Sequence, residues 1–241
     1  MTRPEARSND HRRVLLVGVS SCFGPELAQR FVAGGAQLLA TTRSGSAHGL
    51  PEGVLLAPLD LTQTQSLDAF ANEVVPRFGS LDVVVFMAGL LPGKTLAAYD
   101  DELQQAVLAV NFGGQAALLR RLLPSLAHGA QVWMVSSISG ERGSFDPVYA
   151  ASKAALIGFV KSLATWLAPG LRANALAPAL IEGSRMHAQM APQRREYHRS
   201  TTPTGRLTTP QEVAAALFEL CGPAWANLNG QVIRINGGAH V

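Results

Sequence analysis

Repeated alternation is the feature that most constrains this chain. From Val14 onward, short apolar runs are each followed by a longer stretch with helical spacing. Seven runs read as strands, at 14–17, 37–41, 54–59, 81–86, 131–136, 171–176 and 231–235. Most are apolar throughout instead of alternating with polar residues, as parallel strands covered on both faces require. Between them, Leu67, Phe70, Val74 and Phe78 recur at helical spacing until Gly79-Ser80 stops them. Further helices are expected at 25–33, 100–123, 148–167 and 212–221. Strand–helix units repeated in this way imply right-handed crossovers and a doubly wound α/β sheet of Rossmann type.

The chain has 241 residues, 47% of them hydrophobic and 15% charged, enough apolar material for a large core. No linker rich in Pro, Gly or Ser divides it, so one domain is expected at 14–241, behind a loose polar tail at 1–13. The tail carries no signal-peptide core, and no stretch is long enough to cross a bilayer, which points to a soluble cytoplasmic protein. Cys22 and Cys221 lie far apart and form no redox or ligand motif, and the six histidines have no ligand spacing, so no metal is expected. A net charge of +3 with 6% aromatic residues supplies no basic, aromatic stripe for nucleic acid. One stretch, 181–209, lacks clear periodicity and holds Arg185, Arg194, Arg195 and Arg199. It reads as a substrate loop or lid.

Two ends of the sequence carry chemistry. The first strand runs into Gly18-Val19-Ser20-Ser21-Cys22-Phe23-Gly24 before a helix. A small-residue turn at a helix N-terminus faces anions with free backbone N–H groups, which suits a pyrophosphate. Such turns also occur in α/β proteins that bind no dinucleotide. After the second strand the chain reads Thr41-Thr42-Arg43-Ser44 with no acidic residue, so Arg43 favours a 2′-phosphate and hence NADP(H) over NAD(H). The plainer reading of Arg43 is a solvated arginine. At the other end, Tyr149 and Lys153 are four residues apart on one helix face, and Ser137 ends the fifth strand. A phenol has an ordinary pKa near 10, and a nearby ammonium together with an oxidised nicotinamide would bring it down. Taken alone, the pair is also compatible with a tyrosine packed under a lysine stem.

Together these residues resemble the short-chain dehydrogenase/reductase family of single-domain type, including its 3-oxoacyl-carrier-protein reductases. The resemblance runs from Val14 to about Gly238 and includes Gly18, Gly24, Asp60-Leu61, Ala88-Gly89, Asn111, Ser137, Tyr149, Lys153, Pro178 and Asn236-Gly237-Gly238. It implies a proton relay of Asn111, Ser137, Tyr149 and Lys153, in which Asn111 holds a water and Lys153 also binds the nicotinamide ribose. It implies a cofactor site built from Gly18, Ser20, Ser21, Phe23, Arg43, Asp60, Leu61, Ala88, Gly89, Tyr149, Lys153, Pro178, Ala179 and Ile181. The expected reaction is hydride exchange between the nicotinamide and a ketone or secondary alcohol, with a homodimer or homotetramer as the assembly. The arginines of 181–209 suit an acidic or carrier-linked substrate, or merely a soluble surface. Two other functions use the same scaffold, an epimerase or dehydratase and a non-catalytic cofactor-binding or assembly protein.

The pattern also departs from the family. Val17 stands where the family has threonine, Cys22 replaces a glycine of the turn, and Phe86-Met87 replaces Asn-Asn. An apolar contact among Val17, Phe86 and Met87 is expected in place of the lost polar tie. Gly183 falls where a threonine usually holds the carboxamide, with Ser184 as its substitute.

Overall fold

The computed structural model describes residues 12–241. Seven strands form one parallel sheet: β1 (Arg13–Val17), β2 (Gln37–Thr42), β3 (Leu55–Pro58), β4 (Leu81–Phe86), β5 (Leu126–Val135), β6 (Leu171–Pro178) and β7 (Val232–Ile235). Their order is β3-β2-β1-β4-β5-β6-β7, and every pairing is parallel. The strand-rich reading of the sequence therefore holds, with ends displaced by up to five residues at β5.

Alternation along each strand supplies both faces of the sheet. Leu15 and Val17 point to one side and Val14 and Leu16 to the other, all buried. The first face is covered by α2 (Thr64–Ala69), α5 (Gly114–Leu122) and α7 (Pro147–Trp166), through Leu67, Leu118, Leu122, Leu156 and Val160. The second is covered by α1 (Gly24–Ala33) and α10 (Pro210–Leu220), through Leu27, Phe31, Val213 and Leu217. Phe31 and Phe218 meet edge to face at 5.4 Å, locking α1 to α10.

Two helices contain a π turn. Phe70–Val74 joins α2 to α3 (Val75–Phe78), and Ala109–Gly113 joins α4 (Asp101–Leu108) to α5. The remaining helices are α6 (Ser139–Arg142), α8 (Arg185–Gln189) and α9 (Pro192–Thr201). No helix among the described residues is long and apolar enough to cross a membrane.

Two expectations need correction. The tail predicted at 1–13 lies mostly outside the described residues, but Arg12 and Arg13 belong to the fold. Arg12 is buried and donates to the Cys221 carbonyl, while the Arg13 N–H donates to Asp82 at 2.8 Å. Segment 181–209 is not a loop throughout, since it forms α8 and α9. Neither helix buries a residue, so neither leaves an apolar periodicity to read. Local signals start them instead: the Ser184 hydroxyl caps α8, and Pro192 opens α9. An isolated bridge between Ile181 and Thr208 closes the base of this excursion.

Candidate active site

The strand order reverses between β1 and β4, so their carboxyl ends open a crevice, the usual place for a ligand in such sheets. Gly18 begins the turn after β1 with φ +86°, and a Cβ there would lie 2.7 Å from the Ala88 backbone. Only glycine allows the turn to sit directly on the end of β4. Thr41 fixes the turn from the other side, since its carbonyl accepts from Gly18 and Val19 and its hydroxyl from Gly18. Sequence reading passed over Thr41 because a buried threonine in a β-branched strand looks like strand packing.

No side chain caps α1; Gly24 N donates to the Ser21 carbonyl and Pro25 has no N–H, which leaves the Glu26 amide in its first turn to meet an anion. Ser20 and Cys22 are exposed on the turn, so the cysteine adds its Cβ without filling the core. Ser21 and Phe23 face elsewhere: the Ser21 hydroxyl donates to Met87 Sδ at 3.1 Å, and the Phe23 ring is buried. Neither side chain is turned toward the crevice for a phosphate, and the Ser21 amide donates to the Gly18 carbonyl within the turn. Gly89 is exposed, and a Cβ on it would lie 3.5 Å from Lys153 Nζ, a cradle that a larger residue would fill. These features fit a dinucleotide.

Arg43 is exposed at the end of β2 with no ion pair among the described residues. Asp60 accepts from Thr62 N and Oγ1 at 2.9 and 2.7 Å, and that pair and the Arg43 charge hold its carboxyl below the ordinary range. Leu61 turns its side chain into the core. Pro178 ends β6 with its carbonyl accepting from Ile138, Ala179 donates to Ile235, and Ile181 is buried beside Thr208. Ser184, the candidate for the carboxamide contact, accepts from His187 N as the cap of α8.

The expected apolar contact among Val17, Phe86 and Met87 does not form as a trio. Val17 and Phe86 are register partners on one face, whereas Met87 packs on the opposite face. Successive residues of a strand point to opposite sides, which separates them. The turn is instead tied by Ser21 to Met87 Sδ and by the Met87 and Ala88 amides, which donate to the Val17 carbonyl.

The residues expected to transfer the proton meet at the carboxyl ends of β4 and β5. Lys153 is buried, its Nζ donating to the Val135 carbonyl at 2.8 Å and lying 5.8 Å from the Tyr149 ring centroid. Burial lowers its pKa to about 8. Burial raises the Tyr149 phenol to about 12, a hydrogen bond with Ser137 works against that rise, and the Asp146 charge adds to it. The lowering expected from the lysine is thus outweighed in the protein alone, because desolvation penalises both charged forms. Ser136 donates to the Lys153 carbonyl, bracing the helix against β5.

Asn111 sits in the π turn, fully buried. Its Nδ2 donates to the Leu90 carbonyl and to Ser152 Oγ, both at 2.9 Å, and its Oδ1 accepts from Leu90 N at 2.7 Å. The side chain thereby ties the loop after β4 to α7, and its polar atoms are engaged within the protein. Asp146, absent from the sequence reading, caps α7 by accepting from Tyr149 N at 3.0 Å. The signal was present, since Asp-Pro before a helix is a start signature.

The rim of the site is basic. The Arg194 guanidinium lies 4.4 Å from the Phe145 ring centroid, and Arg142 donates to the Ala239 carbonyl. Burial first, then Arg194 and Arg142, lower the pKa of His198. Neither arginine has an acidic partner among the described residues.

Comparison with known proteins agrees with this geometry. The family model described as enoyl-(acyl carrier protein) reductase matches residues 18–240. The chain belongs to the short-chain dehydrogenase/reductase family. It is an oxidoreductase of the kind that works on C=O and CH–OH groups with a nicotinamide cofactor. Similar members include the 3-oxoacyl-[acyl-carrier-protein] reductase of Thermotoga maritima, 32% identical over 93% of this chain and 96% of that one. The counterpart from Vibrio harveyi is 30% identical over 94% and 96%. A putative ketoacyl reductase of the granaticin polyketide synthase of Streptomyces violaceoruber is 32% identical over 94% and 95%. Among solved structures, a short-chain dehydrogenase/reductase of Brucella melitensis superposes with TM-score 0.87 at 26% identity, covering 98% of this chain and 100% of its own.

Proposed function

We propose that this short-chain dehydrogenase/reductase is an NADP(H)-dependent ketoreductase in which Tyr149 passes the proton. The observation that carries this reading is the meeting of Ser137, Tyr149 and Lys153 beside the open crevice at Gly89. Bound there, the dinucleotide supplies the hydride. The start of α1 with Gly18 and Ser20 would hold the pyrophosphate, Lys153 the ribose, Arg43 the 2′-phosphate and Asp60 the adenine. Ala88 and the segment from Pro178 through Ala179 to Ile181 would border the nicotinamide end.

In the reductive direction, Ser137 donates to the carbonyl oxygen and polarises it. Tyr149 then gives its proton to that oxygen as negative charge develops. A phenol near 12 stays protonated at neutral pH, the form an acid needs. Lys153, close to neutral pH in its own titration, can return a proton to it. With its charge unmatched, the Arg142, Arg194 and His198 rim favours a carbonyl compound that carries an anion, either a small oxo acid or a 3-oxoacyl group on an acidic carrier. Two free thiols suit a reducing cytoplasm. The pairing face for a homodimer or homotetramer is the apolar groove between α5 and α7, lined by Ala116, Leu119, Leu123, Phe159 and Leu163.

The test is NADPH oxidation against a panel of ketones, oxo acids and 3-oxoacyl thioesters. Tyr149→Phe is expected to cut kcat by about 10³-fold while leaving NADPH affinity within about twofold. Turnover that survives the change sinks the assignment. Arg43→Asp is expected to shift the NADPH-to-NADH preference by at least about tenfold, read as a ratio of Kd values. An unchanged ratio removes Arg43 from the cofactor site.

A further inference from the structure

The Asp146 carboxylate does more than cap a helix. It is fully buried, yet every side of it is engaged. Its Oδ2 accepts from the Gly93 and Lys94 amides at 3.0 and 3.1 Å. Its Oδ1 accepts from the Tyr99 hydroxyl at 2.7 Å and from Tyr149 N at 3.0 Å. Four donors on one carboxylate are enough to hold a buried charge, as the cost of desolvation demands.

Where those donors come from matters more than their number. The chain between β4 and α4 is anchored at Leu90 by Asn111, and again at Asp100, which caps α4. Between these points, among the described residues, the three hydrogen bonds that leave segment 91–99 all end on Asp146. The other hydrogen bonds of the segment stay within it, from Ala98 to Thr95 and from Tyr99 to Leu96. The fourth donor is the backbone of Tyr149 itself. One side chain therefore joins the loop bordering the crevice to the residue that carries the reacting proton. Phe145 extends the joint on the surface, since its ring would touch a Cβ on Gly93 and carries Arg194 of α9.

We infer that Asp146 is a positioning residue that locks segment 91–99, the loop bordering the crevice, onto the first turn of α7 at Tyr149. The inference rests on the assignment of Tyr149 as the proton carrier. The groups facing the Tyr149 phenol are Ser137 from the end of β5, Lys153 one helical turn along α7 and Asp146 below. The Asp146 charge acts against ionisation of the phenol, and Lys153 Nζ lies 5.8 Å from its ring centroid. Tyr99, from the loop, faces Asp146 and is itself held well above its ordinary range, by burial first and then by that carboxylate. Withdrawal of the carboxylate charge makes the phenol more acidic, so the limb of the pH profile governed by Tyr149 moves to lower pH.

The variants are Asp146→Asn and Tyr99→Phe in the full chain, with amide hydrogen exchange as the deciding measurement. Asparagine keeps the shape but turns an NH2 toward amide donors, so exchange across 91–99 is expected to quicken by at least about tenfold. KM is expected to rise by about tenfold and the pH limb of kcat to move down. Tyr99→Phe keeps the charge, so it raises KM while leaving the limb in place. If Asp146→Asn leaves exchange at 93 and 94 unchanged, the inference fails whatever the activity. It also fails if exchange quickens equally over the whole chain, with kcat falling and its pH limb unmoved, which is what a mere helix cap would do. If the wild type reduces no carbonyl but exchange quickens at 91–99 alone, the reductase assignment fails and the locking role stands. If Tyr149→Phe abolishes turnover and Asp146→Asn shifts the limb, both stand.

Discussion

Lys153 shows how much a single residue is asked to do. It is 4% exposed, bonded to a backbone carbonyl, and lowered from 10.5 to about 8 by burial. The fold therefore binds this proton less tightly than the unfolded chain does. Between about pH 8 and 10.5 the unfolded chain holds more protons, so stability rises with pH and is lost again as pH falls through that window. The full gain is about 3 kcal/mol. Tyr149 acts in the opposite sense at higher pH. Its folded pKa of about 12 lies above the unfolded 10, so its contribution is present below pH 10 and lost from there upward. The cofactor-free protein should thus gain stability from pH 8 to 9, above which the buried Cys221 thiol, raised from 9.0 to about 12, works against the lysine, and Lys153→Met should remove the Lys153 share. Denaturant unfolding at pH 7.5, 9 and 10 reads it, and parallel curves for the two proteins would count against the buried-ammonium account. Ser137, Tyr149 and Lys153 were named in the sequence from a strand end and a four-residue spacing on one helix face, whereas Asn111 came only through the family resemblance. The direction of the Tyr149 shift was not legible there, since desolvation depends on what packs around the ring.

At the scale of elements, the turn after β1 is a contact between two strands as much as a phosphate loop. Gly18 has both a positive φ and the Ala88 backbone 2.7 Å from any Cβ. Gly18→Ala is expected to cost about 3 kcal/mol, seen as a lower thermal midpoint, with weakened NADPH binding. A midpoint unchanged from wild type would mean that the turn relaxes freely. Strands and long helices were legible because their apolar faces repeat. The helices α8 and α9 were not, because neither buries a side chain and both are started only by local caps. The tie between Ser21 and Met87 was equally hidden. It depends on which face of the sheet a residue just beyond β4 occupies, and the sequence offered an apolar trio instead.

Across the whole molecule, the two faces of the sheet are covered unequally in their outermost layer. On the α5 and α7 side an apolar groove stays open, with Leu123 beside it 41% exposed and Trp166 at the end of α7 81% exposed. The proposed assembly places its pairing face on this groove. Leu123→Glu is expected to shift the protein to monomers in analytical ultracentrifugation while its far-UV circular dichroism stays unchanged. An unaltered sedimentation profile would place the interface elsewhere.

The sequence by itself determined the parallel sheet and the placing of Ser137 at a strand end with Tyr149 and Lys153 on one helix face, because apolar periodicity and residue spacing are properties of the chain order. Tertiary structure alone decided how those residues behave. Packing buries Tyr149 and Lys153 enough to move both pKa values, and it brings Gly93, Lys94 and Tyr99 onto Asp146, which lies 53, 52 and 47 positions away. No local pattern encodes a contact over that separation. It exists only because the start of α7 and the loop after β4 meet at the same carboxyl end of the sheet.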